Sequence, residues 1–308
     1  MPTSNRFAAI DLGSNSFRLE IVRLRQGQFE RVEHHKETVR QGGGLDADGR
    51  LSPAAMQRGW DCLARFSDRL KGLAPGQVRA VATQTLREAR NRDEFLAQGQ
   101  RLLGFPIEVI SGQEEARLIY LGVARRLPDP EQRRLVLDIG GRSTELVVGH
   151  GGTPRALTSC LLGSVTWSVR YFGDQQLSAR NFERAEQAAA AVLGDAAATY
   201  GRPHWDQAFG CSGTVGAIAD ALLLAAQVPE PRQVTRAGLD WLRQQLIQAR
   251  GVEAIRLKGI KPERRAVIGG GLSVLRALFE QLGIEQLHYV PGALRHGALH
   301  DMLEHPHA

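Results

Sequence analysis

The chain carries one short pattern twice. Asp11-Leu-Gly-Ser-Asn-Ser-Phe-Arg-Leu-Glu-Ile21 and Asp138-Ile-Gly-Gly-Arg-Ser-Thr-Glu-Leu-Val-Val148 each begin with an acidic residue closing an apolar run. Each then passes through a small Gly/Ser-rich turn into a second strand-like run. The copies lie 127 residues apart. A second pair, Val81-Ala-Thr-Gln-Thr85 and Phe209-Gly-Cys-Ser-Gly-Thr214, keeps nearly the same offset. Two landmarks at one spacing point to a duplicated domain, since a chance turn would not bring its downstream partner with it. A length of 308 residues gives each copy room for its own core.

The local pattern predicts the same α/β arrangement in both copies. In the first, Phe7–Asp11, Phe17–Leu24 and Phe29–Val39 read as a meander. Phe17, Leu19 and Ile21 fall on one face of the second strand, Arg18 and Glu20 on the other. Ser52-Pro53 opens a helix with a buried stripe of Met56, Trp60, Leu63, Phe66 and Leu70. Val78–Ala82 is a strand leading through Thr83-Gln-Thr85 into a helix carrying Arg87 and Arg90, Pro106–Ile110 is another strand, and Ser111 starts a helix running to about Leu127. Pro128-Asp-Pro130 is the linker candidate. The second copy restarts with strands at Arg134–Asp138, Thr144–Gly149 and Arg155–Leu162, followed by an alanine-rich helix over Ser178–Thr199. Asp206–Phe209 is a strand leading into a helix through Leu224, and another helix begins near Thr235. Ala266–Ile268 meets the triplet Gly269–Gly271, with a helix over Leu272–Leu282. A strand at Gln286–Val290 and a helix from Ala293 to about Glu304 close the chain. The expected division is domain I over residues 1–126, joined by a C-terminal helix at 295–308, and domain II over 127–294.

Charge and composition narrow the partners. A net charge of +6 favours polyanions over acidic surfaces, although a general solubility role would give the same balance. Only 6% of residues are aromatic and no basic run is interleaved with aromatics, which argues against nucleic acid. No apolar run approaches the roughly 20 residues that span a bilayer, so no membrane partner is expected. Three widely spaced cysteines, Cys62, Cys160 and Cys211, fit neither a disulfide framework nor a zinc site and suit a reducing cytoplasm.

The turns after Asp11 and Asp138 have the chemistry of phosphate sites. Gly and Ser allow close backbone approach and convergent N–H donors, and an adjacent carboxylate suits Mg²⁺. The plain alternative for either turn is an ordinary β-turn, and repetition is what argues against it. Arg133, Arg134, Arg170, Lys258, Lys261, Arg264, Arg265 and Arg295 could track a polyanion, although each could equally sit on a solvated basic face. His296 and His300 have metal-ligand spacing but no third ligand. His305 and His307 read as a frayed tail.

Four ordered stretches together resemble the exopolyphosphatase / guanosine pentaphosphate phosphohydrolase family of the actin-like, sugar kinase and Hsp70 superfamily. They are Asp11-Leu-Gly-Ser-Asn-Ser16, Ala82-Thr-Gln-Thr-Leu-Arg87-Glu-Ala, Ile110-Ser-Gly-Gln-Glu-Glu-Ala-Arg-Leu-Ile-Tyr120 and Val136-Leu-Asp-Ile-Gly-Gly-Arg-Ser-Thr-Glu145. The resemblance extends to Gly210-Cys-Ser-Gly-Thr214, Gly269-Gly-Gly271 and Ala293-Leu-Arg-His-Gly297, and matches the short two-domain form. It implies two duplicated ribonuclease-H-like (actin-like) domains, each with a mixed sheet, and an active-site cleft between them. The implied activity is release of terminal orthophosphate from inorganic polyphosphate, with Mg²⁺, a water nucleophile and K⁺ as a candidate activator. Guanosine pentaphosphate, hydrolysed to tetraphosphate in the stringent response, is the sibling substrate. A homodimer is expected by the same resemblance.

Carried over by motif, Glu115 resembles the general base and Arg87 the phosphate clamp. Asp138 resembles the magnesium carboxylate, with Glu145 beside it and Asp11 as a further metal candidate. Asp11, Gly13, Ser14, Asn15, Ser16 and Arg18 correspond to the first phosphate loop. Gly140, Gly141, Arg142 and Ser143 correspond to the second, and Gly213 and Arg264 are further substrate contacts. Positioning and charge neutralisation dominate phosphoryl transfer, which suits such a set. Arg142 departs from the family pattern, where a third glycine is usual; it either restricts the turn or adds a cation over the substrate. Cys211 stands where a threonine is common. Two other classes stay open: a kinase of the same superfamily using Gly269–Gly271 near adenosine, and a non-catalytic polyphosphate or guanosine polyphosphate sensor.

Overall fold

The computed structural model describes residues 5–129 and 131–305. The chain divides into two compact units: residues up to Gly122 together with those from Leu294, and Val123–Ala293. Both are α/β units built on a mixed sheet.

In the first unit, β1 (Arg6–Leu12), β2 (Ser16–Arg25) and β3 (Gln28–Thr38) form the antiparallel meander. After α1 (Pro53–Leu70), β4 (Val78–Ala82) lies parallel to β1. Beyond α2 (Gln84–Glu88) and α3 (Arg92–Leu103), β5 (Ile107–Val109) lies parallel to β4, and α4 (Gly112–Ala124) follows. The strand order is β3-β2-β1-β4-β5. Helix α1 forms because Ser52 caps it, accepting the Ala55 N–H at 3.3 Å, and because Pro53 presets its first turn. Its Met56, Leu63, Phe66 and Leu70 bury against Ile10, Leu12, Phe17, Leu19 and Ile21.

The second unit repeats the scheme. Its meander is β6 (Arg133–Ile139), β7 (Thr144–His150) and β8 (Thr153–Cys160). Helices α5 (Ser164–Tyr171), α6 (Ala179–Leu193) and α7 (Ala196–Tyr200) precede β9 (Gln207–Cys211), which is parallel to β6. Then come α8 (Ser212–Leu224), β10 (Gln233–Thr235), α9 (Arg236–Ala249), α10 (Pro262–Leu282) and β11 (Gln286–Tyr289). The order is β10-β11-β9-β6-β7-β8, so β10 adds an edge strand that the first unit lacks. Helix α11 (Leu294–Glu304) returns to the first unit and packs Ala298, Leu299 and Met302 on Ala9 and Val22.

Three local expectations need correction. The alanine-rich helix is two helices, because Gly194 takes φ +47° and ends α6. Gly269–Gly271 does not precede the helix but lies inside α10, which starts at Pro262. A methyl on Gly270 would fall 2.4 Å from the Ser168 nitrogen, and one on Gly271 would fall 2.5 Å from Thr214 Cγ2. These glycines let α10 approach α5 and α8 closely. The helix expected to carry Arg87 and Arg90 ends at Glu88, and helix α3, helix α5 and strand β10 have no counterpart in the sequence-based prediction. Pro130 of the linker candidate and His307 lie outside the described residues. No helix among the described residues is long and apolar enough to cross a membrane.

Candidate functional site

The two turns share their geometry as well as their sequence. A Cβ on Gly13 would lie 3.0 Å from the Ser16 carbonyl oxygen, and one on Gly140 would lie 3.0 Å from that of Ser143. Both glycines therefore sit where a side chain would press on the returning backbone. In the first unit, Asp11 pairs in register with Arg18; in the second, Asp138 pairs with Glu145. Directly opposed residues share a sheet face, so one turn sets a carboxylate against a cation and the other sets it against a second carboxylate.

The first turn is tied down from two sides. Ser14 Oγ accepts from Thr85 Oγ1 at 2.8 Å, its carbonyl accepts from the Gly42 N–H at 2.7 Å, and the Asn15 carbonyl accepts from the Arg40 N–H at 2.9 Å. Ser16 Oγ is buried and has no hydrogen-bond partner, which leaves a hydroxyl for an incoming oxygen. Burial raises the Asp11 carboxyl above the usual range, against the pull of Arg18 and Arg295. Two guanidiniums of its own unit already face it, a poorer setting for a metal ligand than that of Asp138.

Arg87 and Glu115 meet in the same unit. Arg87 Nη1 donates to Glu115 Oε2 at 2.8 Å and to the Ile110 carbonyl at 2.9 Å. Its Nε and Nη2 reach Gln84 Oε1 at 3.0 and 2.6 Å. Glu115 is only 7% exposed and lies in the first turn of α4, where the helix dipole favours a carboxylate. Ser111 opens that helix by accepting the Glu114 N–H at 3.1 Å.

In the second unit Asp138 Oδ2 accepts from the Cys211 thiol at 3.2 Å, and Glu145 Oε1 accepts from Ser159 Oγ at 2.8 Å. Glu145 is 1% exposed, so its strand face is buried and not solvated. Among the described residues no group of three or more His, Cys, Asp and Glu side chains is arranged to hold a metal. Two opposed carboxylates fit Mg²⁺, which takes one or two protein carboxylates and completes its shell with water and phosphate oxygens.

Helix α5 supports the second turn. The Ser164 N–H donates to the Gly140 carbonyl at 2.9 Å, and those of Val165 and Thr166 donate to the Gly141 carbonyl at 2.9 and 3.2 Å. No residue from Gly140 to Ser143 has a positive φ, so Arg142 fits the backbone without the strain that would demand glycine. Gly213 and Arg264 come together: a Cβ on Gly213 would fall 1.8 Å from Arg264 Nη2, so the guanidinium lies over the start of α8. The preceding Ser212 has φ +84°, a costly conformation for a non-glycine residue.

Two of the basic residues expected to track a polymer are buried in their own folds. Arg134 donates to the carbonyls of Gly151 and Asp129, and Arg295 is held by Glu20 and Asp11. Arg133 pairs with Asp206. His296 lies 3.2 Å from Glu20 and His300 meets Phe29 in a tilted ring contact, so the two spaced histidines turn to different partners. His305 pairs with Asp301 at 3.3 Å. Sequence reasoning missed the supports, α5 and the Arg40–Gly42 strap. Only the small residues at Gly163 and Gly42–Gly44 could have hinted at them.

Known proteins share this arrangement along its full length. A crystal structure of the Aquifex aeolicus Ppx/GppA family member is 26% identical, covering 98% of this chain and 99% of that one, with a TM-score of 0.79. An exopolyphosphatase-like protein is also 26% identical over 97% of this chain and 98% of its own, with a TM-score of 0.85. An exopolyphosphatase from Cytophaga hutchinsonii, 22% identical over 97% and 98%, has the same fold with a TM-score of 0.87. The profile of the Ppx/GppA phosphatase family matches residues 20–306, from within β2 onward. With that match and the repeated aspartate turns, the chain belongs to the Ppx/GppA phosphatase family.

Proposed function

We propose that this chain is an exopolyphosphatase, releasing orthophosphate from the end of inorganic polyphosphate with Mg²⁺. The observation that carries the reading is the partly buried contact of Arg87 with Glu115, a phosphate-binding fork held beside a proton acceptor. A terminal phosphate engages Arg87 and the Ser/Gly turn after Asp11. Glu115, released from that guanidinium, orients a water. The water oxygen bonds to the terminal phosphorus, the bridging P–O bond breaks, and the water proton passes to Glu115. Asp138 and Glu145 would hold Mg²⁺, which when bound neutralises charge on the phosphate oxygens. Asp11 acts in this reading as a charge partner of Arg18 and Arg295. Gly213 and Arg264 hold phosphates further along the chain, with Arg142 as an added cation.

Guanosine pentaphosphate ends in the same phosphoanhydride and is the second substrate to compare. The kinase reading is less well supported: Gly269–Gly271 packs inside α10 against Ser168 and Thr214, and the family match is to phosphatases. The free thiols at Cys62, Cys160 and Cys211 support a reducing compartment. The test is phosphate release from polyphosphate, guanosine pentaphosphate and ATP, each with Mg²⁺, by wild type and Glu115→Ala. Release from polyphosphate above the other two, lost at least about 100-fold in a folded Glu115→Ala, is the expected result. Tight polyphosphate binding without turnover in the wild type would instead make the protein a sensor.

A further inference from the structure

Helix α11 lies on the face of β1 and β2 that carries Asp11, Arg18 and Glu20. From it Arg295, 6% exposed, reaches Glu20 Oε2 at 3.2 Å with Nε and lies 3.8 Å from Asp11 Oδ2 with Nη1. Glu20, 3% exposed, also meets His296 Nε2 at 3.2 Å, and its register partner on β3 is His34. Arg295 therefore serves two buried carboxylates. Arg18 stands opposite Asp11 in the ladder, yet it has no hydrogen bond or ion pair within 4 Å among the described residues. Burial and the repulsion of Arg18 both weaken Arg295's hold on its proton, while Asp11 and Glu20 strengthen it. The two guanidiniums thus share one neighbourhood, and only one of them is paired.

The position of Arg295 is set independently of any ligand. A Cβ on Gly297 would fall 1.8 Å from the Leu118 carbonyl oxygen, so α11 rests directly on the backbone of α4. One turn further on, Asp301 bonds to Arg79 on β4 and to Arg117 on α4. The helix touches β1, β4 and α4, which deliver Asp11, the segment leading to Arg87, and Glu115.

We propose that Arg295 is a positioning residue for the first turn: by occupying Asp11 and Glu20 it keeps Arg18 out of an ion pair and available to an anionic substrate. The proposal rests on the reading of that turn as a phosphate holder. Without Arg295, Asp11 would recruit Arg18 across the ladder and withdraw it from the substrate.

Arg295→Met is expected to raise KM for long polyphosphate about tenfold, the worth of one charge-assisted contact, with kcat within about twofold. Arg295→Lys should keep KM within about threefold of wild type. A fall in kcat at unchanged KM, or Arg295→Lys as impaired as Arg295→Met, would overturn the idea. A second measurement needs no substrate. A double-mutant cycle of Asp11→Asn and Arg18→Gln on denaturant unfolding should give a coupling at least about tenfold larger in Arg295→Met than in wild type, where only a longer-range attraction acts. Equal coupling in both backgrounds refutes the proposal. Should Arg295→Met strand Glu20 and fail to fold, the cycle is run in Glu20→Gln/Arg295→Met. If wild type neither binds nor cleaves polyphosphate, the functional reading fails, and the cycle still decides this one.

Discussion

Gly163 offers the sharpest test of how the second turn is held. A methyl group there would fall 2.3 Å from Cα and N of Arg142 and from the Gly141 carbonyl oxygen. Ordinary contact begins near 3.4 Å, so the turn or α5 must shift by a little more than about 1 Å. Gly163 itself is extended, with φ −140°, so alanine is acceptable to its own backbone and the effect is one of crowding. Overpacking of this kind costs about 1–3 kcal/mol, and the N–H bonds from Ser164, Val165 and Thr166 to the turn add about 1 kcal/mol for each that breaks. That is too little to unfold the unit but enough to displace Asp138's neighbours. A 1 Å misplacement at a reacting centre costs roughly 100-fold in rate. Gly163→Ala is therefore expected to fold, to melt a few degrees lower and to lose about 100-fold in kcat/KM in a phosphate-release assay. Gly152→Ala is the control, since a Cβ there meets nothing within 4 Å. A folded Gly163→Ala with kcat/KM within about threefold of wild type would refute the reasoning that α5 positions the turn.

Three further outcomes follow from the same packing. Burial alone would raise the Glu20 carboxyl, but the hydrogen bonds and charges of His296 and Arg295 outweigh it and hold the group at about 2, down from 4.5. Its contribution, about 3 kcal/mol, is fully present above pH 4.5 and is lost as pH falls through about 2; denaturant midpoints at pH 5 and pH 3 should diverge further in wild type than in Glu20→Gln, where Asp301, Glu33 and Glu37 still titrate below their ordinary range. Gly297→Ala should destabilise the first unit by about 3 kcal/mol, read as a lower melting temperature, because α11 must lift from the Leu118 carbonyl. Cys211→Ala removes the thiol donor to Asp138 and should raise the Mg²⁺ concentration for half-maximal phosphate release about tenfold, whereas Cys211→Thr keeps a donor and should stay near wild type.

The strands, the turns and the capped helix α1 were legible because their causes are local: alternation along β2, Ser52 and Pro53 ahead of α1, small residues after Asp11 and Asp138. The glycine triplet misled for a physical reason. Its backbone is helical, and what demands glycine is the approach of Ser168 and Thr214, which lie about 100 and 57 residues earlier. Glu20 shows the same limit. A charged residue alternating with Leu19 and Ile21 reads as solvent-facing, and only α11, arriving from the far end of the chain, turns it into a buried ion-pair centre. Arg142 was ambiguous from sequence because the need for glycine depends on a φ sign that neighbouring residues do not dictate.

The duplication is what gives these particulars a direction. At offset 127, Gly13 and Gly140 make the same 3.0 Å approach to the Ser16 and Ser143 carbonyls, so the backbone of the turn was kept. What changed is the residue opposite the aspartate, Arg18 in one copy and Glu145 in the other. A carboxylate facing a guanidinium offsets its charge without a direct ion pair and leaves cationic donors for an anion. A carboxylate facing a second carboxylate concentrates negative charge and calls for a divalent cation. One substitution in register is enough to turn a repeated phosphate-sized turn into two chemically distinct half-sites. It also explains why the first copy needs Arg295 to manage its surplus of charge while the second recruits neutral donors, Ser159 and Cys211.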